Sequence, residues 1–172
     1  MKTARDLAAV LVVGCCVVAA TVSAQRASAP AASPAPQAAP KPPDKFDPTR
    51  NADADIKAAV AEAKKTNRRV ILDVGGEWCG WCHALDKYFV QNQDLTDLRD
   101  RLYVWLKVNY STENKNEAVL SRYPKIPGYP HLFVLDQEGK LVQSQGTSEL
   151  EEGSSYNHDR MQQFLMRWAG GK

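Results

Sequence analysis

Trp78-Cys79-Gly80-Trp81-Cys82-His83 is the stretch on which the rest of the chain turns. It follows an apolar run, Val70-Ile71-Leu72-Asp73-Val74, and opens a segment, Ala84 to Val90, whose apolar spacing suits a helix. The two cysteines therefore fall at a strand-to-helix junction. Positions i and i+3 in a first helical turn share a face, so their sulfurs can close a small disulfide without moving the backbone. Unpaired N–H groups and the positive end of the helix dipole favour a thiolate there, which lowers the pKa of the first cysteine and makes it nucleophilic. Residue types and spacing thus point to redox chemistry at Cys79 and Cys82. Two inert core cysteines would not call for Gly80 between them or Trp78 on the outer flank.

The remaining composition narrows the setting. The chain has 172 residues, 44% hydrophobic and 24% charged, with a formal charge of +2. One ordinary domain with appendages fits that length, and so small a charge implies no nucleic-acid partner. Cys15 and Cys16 lie in an N-terminal apolar run, Leu7 to Ala20, that follows the basic start Met1-Lys2-Thr3-Ala4-Arg5 and precedes Val22-Ser23-Ala24. A basic start, a short apolar core and a small-x-small site make a secretory signal over residues 1–24, with cleavage expected after Ala24. Val12-Val13-Gly14-Cys15 offers a rival, a lipoprotein box with Cys15 as the lipidated residue, although the residues after it stay apolar. Either route implies export, to a periplasmic compartment where disulfides persist.

Residues 25–45 are dominated by Ala and Pro, ending Pro40-Lys41-Pro42-Pro43, and are expected to act as an extended, semi-rigid linker. The folded domain is expected over 46–172. Asn51 or Asp53 caps a helix to about Thr66, with Ile56, Ala59, Val60 and Ala63 inward. Strand Val70–Val74 and the helix after the cysteines, to about Gln91, come next. A short capped piece, Asp94 to Asp100, leads to a second strand over 102–109. A short helix is expected from Glu113 to Arg122, ended by prolines 124, 127 and 130. His131–Asp136 and Leu141–Gln145 form a hairpin about Gln137–Lys140, and a polar loop from Gly146 to Ser155 precedes a last helix capped near Asn157. Helical crossovers early and a hairpin late give an α/β fold with a mixed four-stranded sheet and helices on both faces.

From about Asn51 to Gly170 the chain resembles the thioredoxin family, with Trp78-Cys79-Gly80-Trp81-Cys82 at the position of its WCxxC motif. Asp73 matches the family's buried aspartate and Lys107, on the next strand, its lysine partner. Ile126-Pro127-Gly128-Tyr129-Pro130 matches the segment whose last residue is a cis-proline facing the cysteines. Within the family, the chain looks like secreted bacterial members carrying WCGWCH. The resemblance implies a three-layer thioredoxin-like fold and a protein-disulfide oxidoreductase, expected as a monomer without cofactor or metal. Three departures stand out: Trp81 replaces a proline, Val74-Gly75-Gly76 replaces an aromatic shelf, and no strand precedes the first helix.

On that resemblance, Cys79 at an exposed helix start attacks a disulfide-containing protein, and the deeper Cys82 resolves the mixed disulfide. Asp73 takes the Cys82 proton and Lys107 tunes Asp73, although a buried pair that only fixes strand register would use the same residues. Trp78, Gly80, Trp81, Tyr129 and Pro130 form the substrate surface, where Tyr129 offers its backbone to an extended segment. The Asp73 and Lys107 features favour a reductant, itself reduced by a membrane thiol donor. Two rivals use the same residues. Cys79-x-x-Cys82-His83 is a c-type haem attachment pattern, with Met161, Met166, His131 or His158 as distal ligand. A thioredoxin-like surface without turnover would make a binding module. A metal site on Cys79, Cys82 and His83 lacks an evident fourth ligand.

Overall fold

Of the two candidate caps, Asn51 and not Asp53 starts the first helix: its side chain accepts a hydrogen bond from the Ala54 amide, and helix α1 runs Ala52–Thr66 until Asn67 turns left-handed. The computed structural model describes residues 44–170, so the expected signal segment, the lipidation box and all but the last two residues of the expected linker lie outside the described residues. Strand β1 (Arg69–Gly75), helices α2 (Gly80–Gln91) and α3 (Gln93–Leu102) and strand β2 (Tyr103–Asn109) follow. A one-turn helix α4 (Glu117–Leu120) precedes the hairpin β3 (His131–Leu135) and β4 (Leu141–Gly146), and α5 (His158–Arg167) closes the domain.

The four strands lie in the order β2-β1-β3-β4. β1 pairs with β2 in parallel and with β3 antiparallel, and β3 with β4 antiparallel, giving the mixed sheet anticipated from the element order. Among the described residues no strand precedes α1, so β2 is an edge.

β1 is buried on both faces, which is why it reads as a nearly continuous apolar run. Val70, Leu72 and Val74 pack with Ile56, Ala59 and Ala63 of α1, whereas Ile71 joins Leu85, Phe89, Met161 and Leu165 from α2 and α5. Alternation therefore turns Asp73 to the same face as Ile71, the face covered by α2. The parallel register sets Asp73 directly opposite Lys107 on β2. Two residues read as a motif in sequence thus become neighbours through one strand pairing.

Two local expectations need correction. The helix expected over Glu113 to Arg122 is only Glu117–Leu120. Its missing first turn is taken by side chains that bond the backbone instead: Asn109 Nδ2 donates to Asn114 O (2.8 Å), Asn116 Nδ2 to Asn109 O (2.7 Å), and the Asn116 amide to Asn114 Oδ1 (2.9 Å). Asn116 itself sits left-handed at φ 48°. The polar loop of 146–155 also has structure, a 3-10 turn (Thr147–Leu150) and a two-stranded ribbon, β5 (Glu151–Glu152) with β6 (Ser155–Tyr156). Elements two residues long carry no readable period. This ribbon matters because it delivers Tyr156 to the back of Trp81.

Candidate active site at the start of α2

Cys79 is the N-cap of α2. Its φ and ψ are extended, and its Sγ accepts a hydrogen bond from the Cys82 amide at 3.1 Å. Cys79 and Cys82 are joined in a disulfide with S–S 2.09 Å and Cα atoms 5.2 Å apart. The N-cap sulfur faces the orphan amides of the first turn, the position in which a helix best supports negative charge. The expectation of an exposed Cys79 is corrected: it is 4% exposed and Cys82 1%. The covering groups are Phe46, Trp81 and Tyr129, which pack on the two sulfur-bearing residues.

Phe46 was not foreseen. It arrives from the segment ahead of α1, and its amide donates to Glu77 Oε1 at 3.0 Å. The two glycines that thin the aromatic shelf in sequence are explained by what approaches them. A Cβ on Gly75 would collide with Cys82 Sγ and come within 3.0 Å of Phe46 Cζ. A Cβ on Gly76 would strike the Trp78 indole and lie 2.8 Å from Tyr110 O. The Phe46 and Trp78 rings and the Tyr110 carbonyl occupy this space, so the aromatic wall beside the cysteines is rebuilt from Phe46, Trp81 and Tyr129.

Trp78 is 58% exposed, yet it is fixed: its Nε1 donates to Tyr110 O at 2.7 Å and its ring meets Tyr129 edge-on at 5.5 Å. Tyr129 in turn stacks on Tyr110 with centroids 5.0 Å apart. Burial and the neighbouring Tyr110 push the Tyr129 phenol up to about 12, so it is neutral at physiological pH. The Tyr129–Pro130 bond is cis, and Pro130 O accepts from Thr147 Oγ1 at 2.8 Å. Gly80 has open space where a side chain would stand. Trp81 is half-buried, edge-on to Tyr156, whose hydroxyl donates to Trp81 O at 3.2 Å. An open pocket of about 650 Å³ beside Trp78 is lined by Phe46, Glu77, Tyr110 and Lys115 among others. A larger cavity of about 890 Å³ runs along the β2 edge between α1 and α3, and neither cysteine lines it.

Behind the cysteines, Lys107 Nζ bonds Asp73 Oδ2 at 3.0 Å and Asp86 Oδ1 at 2.7 Å. Trp105 Nε1 also donates to Asp73 Oδ2, at 3.2 Å, while Asp73 Oδ1 is buried with no partner. Burial holds the Asp73 carboxyl above the usual range, against the pull of Lys107. Burial also opposes the Lys107 charge, but its two carboxylates outweigh it and raise its pKa, so the ammonium persists. Asp86, in the helix following the motif, is the member of this triad that sequence reading missed. An acid one turn past the second cysteine was its only signal.

The groups that other chemistries would need are scattered. His83 lies at the surface with Nε2 2.8 Å from Glu77 O. His131 is buried, and its Nε2 faces Ser144 Oγ at 2.8 Å, burial lowering its pKa. His158 pairs with Asp94, Met161 is core and Met166 is exposed. Met161 thus belongs to a different core cluster from the two cysteines, and the side chains of His83, His131 and His158 are each engaged elsewhere.

Comparison with known proteins agrees with this geometry. Residues 51–137 match the family described as thioredoxin-like. The chain belongs to the thioredoxin-like family. It is 31% identical over 117 residues to the thiol:disulfide interchange protein DsbD of Pseudomonas fluorescens, covering 67% of this chain but only 18% of that relative. It is 24% identical over 97 residues to the disulfide bond reductase DsbH of Chlamydia pneumoniae, covering 51% of this chain and 58% of the relative. Among solved structures, a disulphide isomerase from Xylella fastidiosa Temecula1 superposes with a TM-score of 0.62 at 26% identity, covering 71% of this chain and 94% of the other. The chain thus spans about a fifth of the DsbD relative and somewhat over half of DsbH.

Proposed function

We propose that this thioredoxin-like chain is a protein-disulfide oxidoreductase working outside the cytoplasm, and that it runs as a reductant. The observation that carries the reading is a disulfide closed across the first turn of α2 with Cys79 as the capping residue. In the reduced protein, the Cys79 thiolate attacks one sulfur of a partner disulfide, and the other partner sulfur leaves as a thiolate. Cys82 then loses its proton and attacks Cys79 Sγ. The Cys79–Cys82 bond re-forms, the second partner sulfur departs, and two electrons have passed to the partner.

Asp73 is assigned the proton of Cys82, directly or through a water. Its buried, unpartnered Oδ1 and its raised pKa suit a group that takes up a proton inside the fold. Lys107 keeps that proton affinity in check through its charge and hydrogen bond, while the charge of Asp86, which shares the ammonium, works the other way. Trp81 and Tyr129 pack on the two cysteines, Trp78 meets Tyr129 edge-on, and Pro130 follows Tyr129 through a cis bond; with Gly80, whose Cβ position is open, these residues are assigned the partner surface. We assign export to residues 1–24, by cleavage after Ala24 or lipidation at Cys15; with lipidation the tract to residue 45 spaces the domain from the membrane, and with cleavage it is a leader. Recharging falls to a membrane thiol donor, with the domain acting as a monomer.

Turnover of a disulfide-bonded protein such as insulin, with dithiothreitol as electron source, tests the reading. Cys79→Ser should abolish reduction, and Cys82→Ser should accumulate a mixed disulfide with the substrate, visible by mass. Full activity in Cys79→Ser would end the proposed order of attack.

A further inference from the structure

The Phe46 ring stands between two parts of the site that no motif connects. On one side it packs with Cys79 and Cys82, and Gly75 is bare where ring and Cys82 Sγ converge. On the other, its face lies 4.1 Å from Lys107 Nζ, the ammonium shared by Asp73 and Asp86. The ring is 2% exposed although it precedes the first helix, and the hydrogen bond from its backbone N–H to Glu77 Oε1 seats it. We infer that Phe46 is a positioning residue that excludes water from the sheet side of the Cys79–Cys82 pair and thereby keeps its reduction potential low. This deepens the proposed function and rests on it, since it concerns the poise of that same pair.

The physical argument compares two redox states. The disulfide is neutral and loses little when water is excluded. The dithiol carries a thiolate at Cys79 and a polar thiol at Cys82, and both lose solvation in an apolar setting. A ring that keeps water out therefore disfavours the reduced form, so the dithiol gives up its electrons more readily. The charged groups around the ring are Lys107 on β2, Asp73 on β1, Asp86 on α2 and Glu77 in the loop before Cys79. A cation facing an aromatic π-surface is stabilised there, which leaves Lys107 charged behind the ring rather than hydrated.

The test is the equilibrium of the full chain with glutathione: two glutathione thiols pass two electrons and two protons to the Cys79–Cys82 bond, leaving glutathione disulfide and the dithiol. Phe46→Ala should move that equilibrium about tenfold towards the dithiol, or about 30 mV less negative. Phe46→Leu, which refills the apolar space, should stay within about twofold of wild type by the same scale. Phe46→Ala also removes a core side chain, so Glu77→Ala, on the surface, supplies a second route. It frees the Phe46 amide, whereas Glu77→Gln removes the same charge but retains an acceptor. Glu77→Ala should therefore shift the equilibrium further towards the dithiol than Glu77→Gln does. Equal constants in wild type, Phe46→Ala and both Glu77 variants, with melting temperature alone reduced, would overturn the inference and leave the proposed function standing. A wild-type pair that does not exchange with glutathione at all would overturn both.

Discussion

Replacing Lys107 with methionine keeps the length of the side chain and removes the ammonium that bonds Asp73 and Asp86. Asp86 is 41% exposed and turns to solvent. Asp73 is fully enclosed and retains one donor, Trp105 Nε1 at 3.2 Å. Removing one partner of a buried pair costs about 3–5 kcal/mol, most of it the penalty of the uncompensated charge that remains. Asp73 can escape that penalty by taking a proton. Burial already holds its carboxyl above the ordinary value, and losing Lys107 removes the coulombic attraction and the hydrogen bond that oppose the rise. A carboxyl whose folded pKa exceeds its unfolded one binds its proton more tightly in the native state. Its contribution to stability is therefore present at low pH and lost as pH climbs from the ordinary carboxylate value through the folded one. In Lys107→Met that loss becomes deeper and reaches to higher pH. Urea unfolding of the oxidised protein should show a deficit of about 3–5 kcal/mol at pH 8, a fall in midpoint above about 1 M for a typical slope, and a smaller deficit at pH 5. Adding Asp73→Asn should recover more than half of the pH 8 deficit, because no buried charge then remains. A deficit of the same size at both pH values, or a double variant no better than Lys107→Met, would refute the assignment of the cost to an ionised Asp73.

Three further outcomes follow from the site and its frame. Gly75→Ala places a methyl against Cys82 Sγ and Phe46, and should cost about 1–3 kcal/mol in thermal or urea unfolding, as overpacking does. Trp78→Ala gives up an exposed ring and one hydrogen bond to Tyr110 O, so stability should fall by only about 0.5–1.5 kcal/mol. The same change should raise KM for a protein disulfide with kcat little altered; a loss confined to kcat would contradict a partner-contact role. Asn157→Ala removes the side chain that accepts from the Arg160 amide at the start of α5, and should cost about 1 kcal/mol in the same unfolding assay.

Much of the frame was legible because its signals are local. Asn51 and Asn157 are cap residues ahead of periodic apolar runs, and both helices begin where those caps place them. The run from Val70 is continuous because β1 is covered on both faces, and Asp73 stands out as the one charge within it. The expected helix after Glu113 failed where asparagine side chains outbid the helical backbone for hydrogen bonds, a competition that composition alone does not resolve. The ribbon bearing Tyr156 is too short for any period to register. In the site, both cysteines, Trp78 and the Asp73–Lys107 pair could be picked out from spacing and motif. Phe46 and Asp86 could not, because a lone phenylalanine after a proline-rich tract and an acid on a helix carry no sign of what they will meet.

By itself, the order of residues determined that two sulfurs three positions apart would begin a helix behind a buried strand, since capping, helical period and strand alternation act over a few neighbours. Tertiary structure alone decided that the pair would be covered by Phe46 and backed by a lysine divided between two carboxylates. Those contacts join segments about 30 residues apart, such as Phe46 to Glu77 and Asp73 to Lys107. Desolvation and charge sharing exist only once the sheet and its helices have closed around them.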